Sequence, residues 1–269
     1  MVIDFHTHIF PDKIAKSTIE ALANKAENKP YTDGTVQGMV DAMLRADADI
    51  CVTLPVLTKA SQFDSVTRFA VSVNERFNTE EKKLISFAGM HPECEDIEGK
   101  MQYLKLMGIK GVKIHPDYQC AFIDDKGYIE ILKCAKKYDM VVVTHAGIDD
   151  GYKDEPVRCP PEKVLKVIEE VNHDKFVLAH YGGHKQWEEV HELLAGKNVY
   201  FDTAYTFHEI SEELFKKILL KHGEDKVLFA TDCPWRDIKD DLQILKSFNL
   251  SESTLNKILY KNALKLLGI

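Results

Sequence analysis

Eight short apolar runs recur along this chain, each followed by a loop and an amphipathic segment, and that alternation limits its possible folds more than any other feature. The runs are "VIDFHTHI" (2–9), "ICVTLPV" (50–56), "LISFAGMHP" (84–92), "GVKIHP" (111–116), "VVVTHAG" (141–147), "FVLAHYGG" (176–183), "VYFDTAY" (199–205) and "VLFATDCPW" (227–235). Strands buried on both faces of a parallel sheet require this near-continuous apolar character. Between them, "WEEVHELL" sets Trp187, Val190, His191 and Leu194 on one helical stripe, and "MQYLKLMG" ends on Gly108, a residue that stops helices. The C-terminal "STLNKILYKNALKLLGI" aligns Leu255, Ile258, Leu259, Leu266 and Leu267 behind Ser251 or Ser253 as N-cap. Residues 11–36, with Pro11, Pro30 and Gly34, read as an inserted loop or short helix over the first strand. The pattern predicts a single α/β domain over 1–269, a distorted (β/α)8 barrel. An open doubly wound sheet competes with it, but that fold usually carries a glycine-rich phosphate loop after its first strand, and "HYGGH" lacks the spacing.

Composition narrows the function. With 269 residues, 45% of them hydrophobic and 29% charged, the chain can build a large core. A formal net charge of −8 argues against a nucleic-acid partner, which needs a basic face. No apolar run is long enough for a membrane span and no leader pattern precedes the first strand, so a cytoplasmic location is expected. Six cysteines without a C-x-x-C pair are expected as free thiols, most of them buried.

The polar residues cluster where a barrel builds its active site. Of eleven histidines, His6, His8, His91, His115, His145 and His180 stand at or near strand C-termini, and the eighth run ends in Asp232. Successive strand side chains alternate, which puts Asp4, His6 and His8 on one face. Hydrogen-bonded core histidines are the bland reading of His6 and His8, but two on one face of an apolar strand point to a metal ion. Asp4 lies deeper, where bonding the backbone or orienting a ligand suits it as well as direct contact. Asp232 can either cap the next helix or serve the site, and its place at the end of a strand favours the site. His91 and His115 precede proline, which can account for them structurally. Lys113 shares the face of His115, either paired with a carboxylate or substrate, or carbamylated between two metals.

Together "D-F-H-T-H", "THAG", "LAHYGG", "ATDCPW" and the closing "KNALKLLG" resemble the amidohydrolase superfamily, and most closely the branch that includes aminocarboxymuconate-semialdehyde decarboxylase. The resemblance implies one divalent metal, zinc ahead of Mn2+, Fe2+ or Co2+, ligated by His6, His8, His145 and Asp232. It further implies His180 as acid/base beside the metal-bound water, and a homodimer.

Three imidazoles and one carboxylate around zinc leave a position open for water, whose pKa the metal lowers toward roughly 7. His180 or Asp232 then serves as the catalytic acid/base. The substrate is expected to be a small molecule, with His115, Tyr118, Tyr152, Arg158, Tyr205 and Trp235 as rim candidates to contact it. Arg158 suits a carboxylate, or else forms a surface pair with Asp154 or Glu155. The expected activity is a metal-dependent hydrolase of an acidic or cyclic substrate. The alternatives are a non-oxidative decarboxylase of an unsaturated or aromatic acid and an inactive barrel that binds metal or ligand.

Overall fold

In the computed structural model, which describes residues 1–77 and 81–269, every one of the eight apolar runs supplies a strand. These are β1 (Ile3–Thr7), β2 (Ile50–Thr53), β3 (Lys83–Ser86), β4 (Ala88–Gly89), β5 (Gly111–Ile114), β6 (Val141–Thr144), β7 (Phe176–Leu178), β8 (Tyr200–Asp202) and β9 (Val227–Leu228). The third run supplies two of them, because Phe87 separates β3 from β4 while its amide still bonds Thr53 O at 2.9 Å. Neighbours pair in parallel, in the orders β1-β2-β3 and β4-β5-β6-β7-β8-β9. The circuit closes where Phe5 N donates to Phe229 O at 2.9 Å and Asp232 N to His6 O at 2.8 Å. This is the expected α/β barrel.

Two packed layers follow from strand alternation. Ile3, Phe5, Val52, Val143, Val177 and Leu228 fill the barrel. Their neighbours Cys51, Val142, Leu178 and Phe201 face outward against the helices. Each such side chain stabilises the fold by roughly 1.5–3 kcal/mol when fully buried. The C-terminal helix (Asn262–Leu267) closes the bottom by adding Ala263, Leu266 and Leu267 to the barrel interior. Ser251 caps the helix before it, accepting from Thr254 N at 3.1 Å.

One feature of β1 corrects the alternation expected from sequence. Asp4 stands opposite Cys51 but Thr7 opposite Thr53, so β1 carries one extra residue between them. Such a bulge reverses which face each later residue takes. Asp4 therefore points outward beside Cys51, whereas His6 and His8 point into the barrel. The Asp4 carboxylate holds the bulge by accepting from His6 N (3.2 Å), Thr231 N (3.1 Å) and Thr231 Oγ1 (2.6 Å). It thus orients a candidate ligand through the backbone.

Residues 11–36 also differ from the expectation of a loop or short helix. They form the fifteen-residue α1 (Asp12–Ala26) and lead into α2 (Val36–Ala46), capped by Thr35, which accepts from Gly38 N at 2.9 Å. Alanine and lysine make up seven of the fifteen α1 residues, and these good helix formers outweigh the flanking prolines. Together α1 and α3 (Phe63–Phe77) stand over the mouth of the barrel. All six cysteines are free. Among the described residues no helix is long and apolar enough to cross a membrane.

Candidate metal centre and cavity

Three proton acceptors meet at the C-terminal mouth. His6 Nε2 lies 3.2 Å from His8 Nε2 and 3.3 Å from Asp232 Oδ1, and His8 Nε2 lies 3.0 Å from Asp232 Oδ1. The protons on the far side of each ring are fixed by their partners. Leu54 O can only accept, so His8 Nδ1 at 2.8 Å carries a proton, and a neutral His8 turns a bare Nε2 toward Asp232. Asp202 Oδ2 likewise takes the proton of His6 Nδ1 at 2.9 Å, leaving His6 Nε2 as an acceptor toward Lys113 Nζ at 3.1 Å. Acceptor therefore faces acceptor unless a proton or a cation sits between them. A metal ion fits this donor set, and Asp202 and Leu54 are the outer groups that orient its imidazoles.

The electrostatics agree with a site for positive charge. Burial, with Lys113 adding to it, holds His6 well below the usual histidine range. Burial opposes ionisation of Asp232, yet the His8 contact and the surrounding imidazoles keep its carboxyl well below the usual carboxylate range. Lys113, fully buried, is pulled down to about 8 by desolvation against the attraction of Asp202 and Asp232.

His145 stands beside this group, apart from its closest three members. His180 Nδ1 donates to Ala204 O at 2.9 Å, so His180 Nε2 is bare and accepts from His145 Nδ1 at 2.9 Å. That leaves His145 Nε2 buried without a hydrogen-bond partner, 3.8 Å from Asp117 Oδ2. With His115 and Asp149 it forms a second set of atoms close enough to share an ion. Gly147 (φ +85°) makes the turn behind His145 possible, because a Cβ there would lie 2.2 Å from His184 N. His180 itself has φ +58°, a conformation that side chains rarely adopt and that turns this ring inward. Burial lowers His180 to about 4, so it is neutral at pH 7.

A cavity of about 560 Å³ rises from this floor between α1 and α3. His115, Tyr118, Tyr205 and Trp235 line it, as do His184, Asp149 and Asp150. Tyr152 and Arg158 do not line it. The Tyr152 ring is covered by Lys25 Nζ, 3.2 Å from its centre, and Arg158 turns behind the wall to Glu155 Oε2 at 2.5 Å and Asp117 Oδ1 at 3.7 Å. Among the described residues, Lys13 and Lys113 are the cations on the wall, and no arginine joins them. His91 is also off the wall; its Nδ1 accepts from Glu93 N at 3.2 Å in the turn at Pro92.

The sequence reading missed Asp202, Asp149 and His184. Asp202 had a signal, since it ends β8 on the inward register between Tyr200 and Ala204. Asp149 and His184 lie on irregular loops, joined where Ile148 N donates to His184 O at 3.0 Å, and no periodicity marks such residues.

No curated protein sequence matches the chain. Solved structures do resemble it. An uncharacterised TIM-barrel protein from Bordetella bronchiseptica superposes with a TM-score of 0.77 at 15% identity, covering 99% of this chain and 98% of that one. The 2,6-dihydroxybenzoate decarboxylase from Rhizobium gives 0.69 at 14%, over 99% and 98%. A 5-carboxyvanillate decarboxylase from Novosphingobium aromaticivorans, with bound manganese and 3-methoxy-4-hydroxy-5-nitrobenzoic acid, gives 0.72 at 13%, over 100% and 97%. These neighbours correct the expectation of a hydrolase, since the enzymes among them with a named activity are decarboxylases and favour the carboxy-lyase alternative. A family model described as amidohydrolase matches residues 3–269, and the chain belongs to the amidohydrolase family.

Proposed function

We propose that this protein is a metal-dependent carboxy-lyase that removes carbon dioxide without oxidation from an aromatic or unsaturated carboxylic acid. The observation that carries the reading is the convergence of His6 Nε2, His8 Nε2 and Asp232 Oδ1 within 3.3 Å of one another on the floor of a closed-in cavity. The likeness to decarboxylases supports this reaction over hydrolysis. His6, His8 and Asp232 would hold the ion, with His145 completing the set from β6. Manganese, present in the 5-carboxyvanillate enzyme, is as suitable as zinc for this mixture of nitrogen and oxygen donors. A divalent ion bound there supplies a Lewis acid for the substrate carboxylate and an adjoining oxygen.

The remaining chemistry belongs to the side chains. Lys113 Nζ places positive charge beside the carboxylate in a dry setting, where it counts for more than in water. His180 Nε2, unprotonated and accepting from His145 Nδ1, takes a proton from solvent and delivers it to the carbon as the bond to the carboxylate breaks, carbon dioxide leaves and the bond's electron pair stays on that carbon. His180 is thus the proposed acid/base beside Asp232, which would act by holding the ion, and His115 and Trp235 border the bound ring.

The test is direct. Manganese-loaded protein is offered 2,6-dihydroxybenzoate, 5-carboxyvanillate and a panel of lactones and aryl esters, with carbon dioxide and free acid both measured. Release of carbon dioxide from an aromatic acid supports the reading. Turnover confined to lactones or esters overturns it.

A further inference from the structure

The cavity has two chemically different halves, and the floor uses only one. Its upper half lies between helices. On α1, Ile14, Thr18, Leu22 and Ala26 recur every four residues and so form one face, turned to the cavity. The flank of the same apolar face, Ala15 and Ile19, packs on the core. Opposite stand Val66 and Phe69 of α3. Helix α1 therefore turns one edge of its apolar face to the cavity, where Thr18, Leu22 and Ala26 are half-buried and Ile14 is 42% exposed.

Size points the same way. Allowing each non-hydrogen atom the roughly 30 Å³ that a water molecule occupies in the liquid, a single-ring dihydroxy acid of eleven such atoms fills about 330 Å³. More than a third of the 560 Å³ is left over. The surplus is the part walled by α1 and α3, where Ile14, Leu22, Val66 and Phe69 stand among Thr18, Gln62 and Ser65, and burying apolar surface against the four apolar side chains is favourable.

We infer that the substrate is an amphiphilic acid, bearing an apolar substituent away from its reacting carboxylate, and that the substituent lies between α1 and α3. The inference rests on the proposed function only in taking a carboxylate as the end that meets the floor. Val66 and Leu22 are then specificity-determining residues. They act on the far end of the ligand and leave the proton chemistry to the floor.

Binding, not turnover, tests this. Calorimetric titration of the manganese-loaded protein compares benzoate with 4-hexylbenzoate. With each buried methylene strengthening binding about fourfold, half burial of the hexyl chain gives at least about thirtyfold tighter binding. In Leu22→Asp the ratio between the two acids should collapse toward one. Val66→Asp is the second variant, in case the first does not fold, and should collapse it likewise. Equal affinity for the two acids overturns the inference, as does a preference for the longer acid that survives both substitutions. A chain-length preference together with no carbon dioxide from any acid leaves this inference standing and removes the carboxy-lyase.

Discussion

Replacing Asp4 with alanine probes how the fold delivers His6 to the metal centre. The carboxylate is fully buried and accepts three hydrogen bonds, from His6 N, Thr231 N and Thr231 Oγ1. Alanine strands two backbone N–H groups and one hydroxyl away from water. At about 1–3 kcal/mol for each buried donor left unpaired, the loss is about 3–9 kcal/mol, or about 2–6 kcal/mol if the hydroxyl rotates to another acceptor. Asp4→Asn keeps an acceptor oxygen for the backbone and should cost about 1–2 kcal/mol. The same change loosens the bulge, and a one-residue slip would turn His6 to the outer face. Metal affinity should therefore fall with stability, by about tenfold for each 1.4 kcal/mol that reaches the site. Urea unfolding followed by the fluorescence of Trp187 and Trp235 gives the first quantity, and manganese titration of the folded protein gives the second. An Asp4→Ala protein that loses less than about 1 kcal/mol and binds manganese like the parent would refute the assignment of the bulge to this side chain.

Three further changes separate the roles proposed here. His145→Ala should lower the metal content of purified protein, while His180→Ala should retain the metal and lose turnover; elemental analysis and a decarboxylation assay distinguish them, and an empty site in His180→Ala would contradict the division. In Asp202→Asn the one remaining oxygen is held by His180 N and Ala204 N, so an NH2 replaces the oxygen that fixes the Nδ1 proton of His6, and metal affinity should fall about 10–100-fold with the fold intact. Burial pushes Asp241 up to about 7 from 3.8, against the pull of Arg236, so the folded protein holds this proton longer than the unfolded chain. Its stabilisation is complete below about pH 4 and lost as pH rises toward 7; stability should decline over that window by roughly 1 kcal/mol per pH unit more than in Asp241→Asn, and parallel curves for the two proteins would count against it.

The barrel was legible because its signal is periodic and repeated. Each strand is apolar on both faces, and each ends where polar residues begin, so eight runs and the residues His6, His8, His115, His145, His180 and Asp232 could be placed at one mouth. What escaped was local and aperiodic. The β1 bulge reverses the side on which Asp4 stands, yet an inserted residue leaves no trace in an otherwise regular strand. Helix α1 was obscured by the prolines around it, although its own residues favour a helix. Arg158 and Tyr152 illustrate a different limit. Both follow a strand in the right loop, but loop geometry turns one toward Glu155 and stacks the other against Lys25. The reaction itself was not legible, since one set of metal ligands can serve hydrolysis or decarboxylation, and the proposal of decarboxylation leans on the likeness to solved decarboxylases.

The most direct measurement follows the fate of the carboxyl group in D2O. Manganese-loaded protein and an aromatic acid bearing an ortho hydroxyl, such as 2,6-dihydroxybenzoate, are incubated together, and the products are read by mass spectrometry and proton NMR. The expected result is carbon dioxide equal in amount to the decarboxylated ring, with one deuterium on the carbon that carried the carboxylate, and neither product in His8→Ala. Intact aromatic acids alongside rapid, metal-dependent opening of a lactone would contradict the carboxy-lyase.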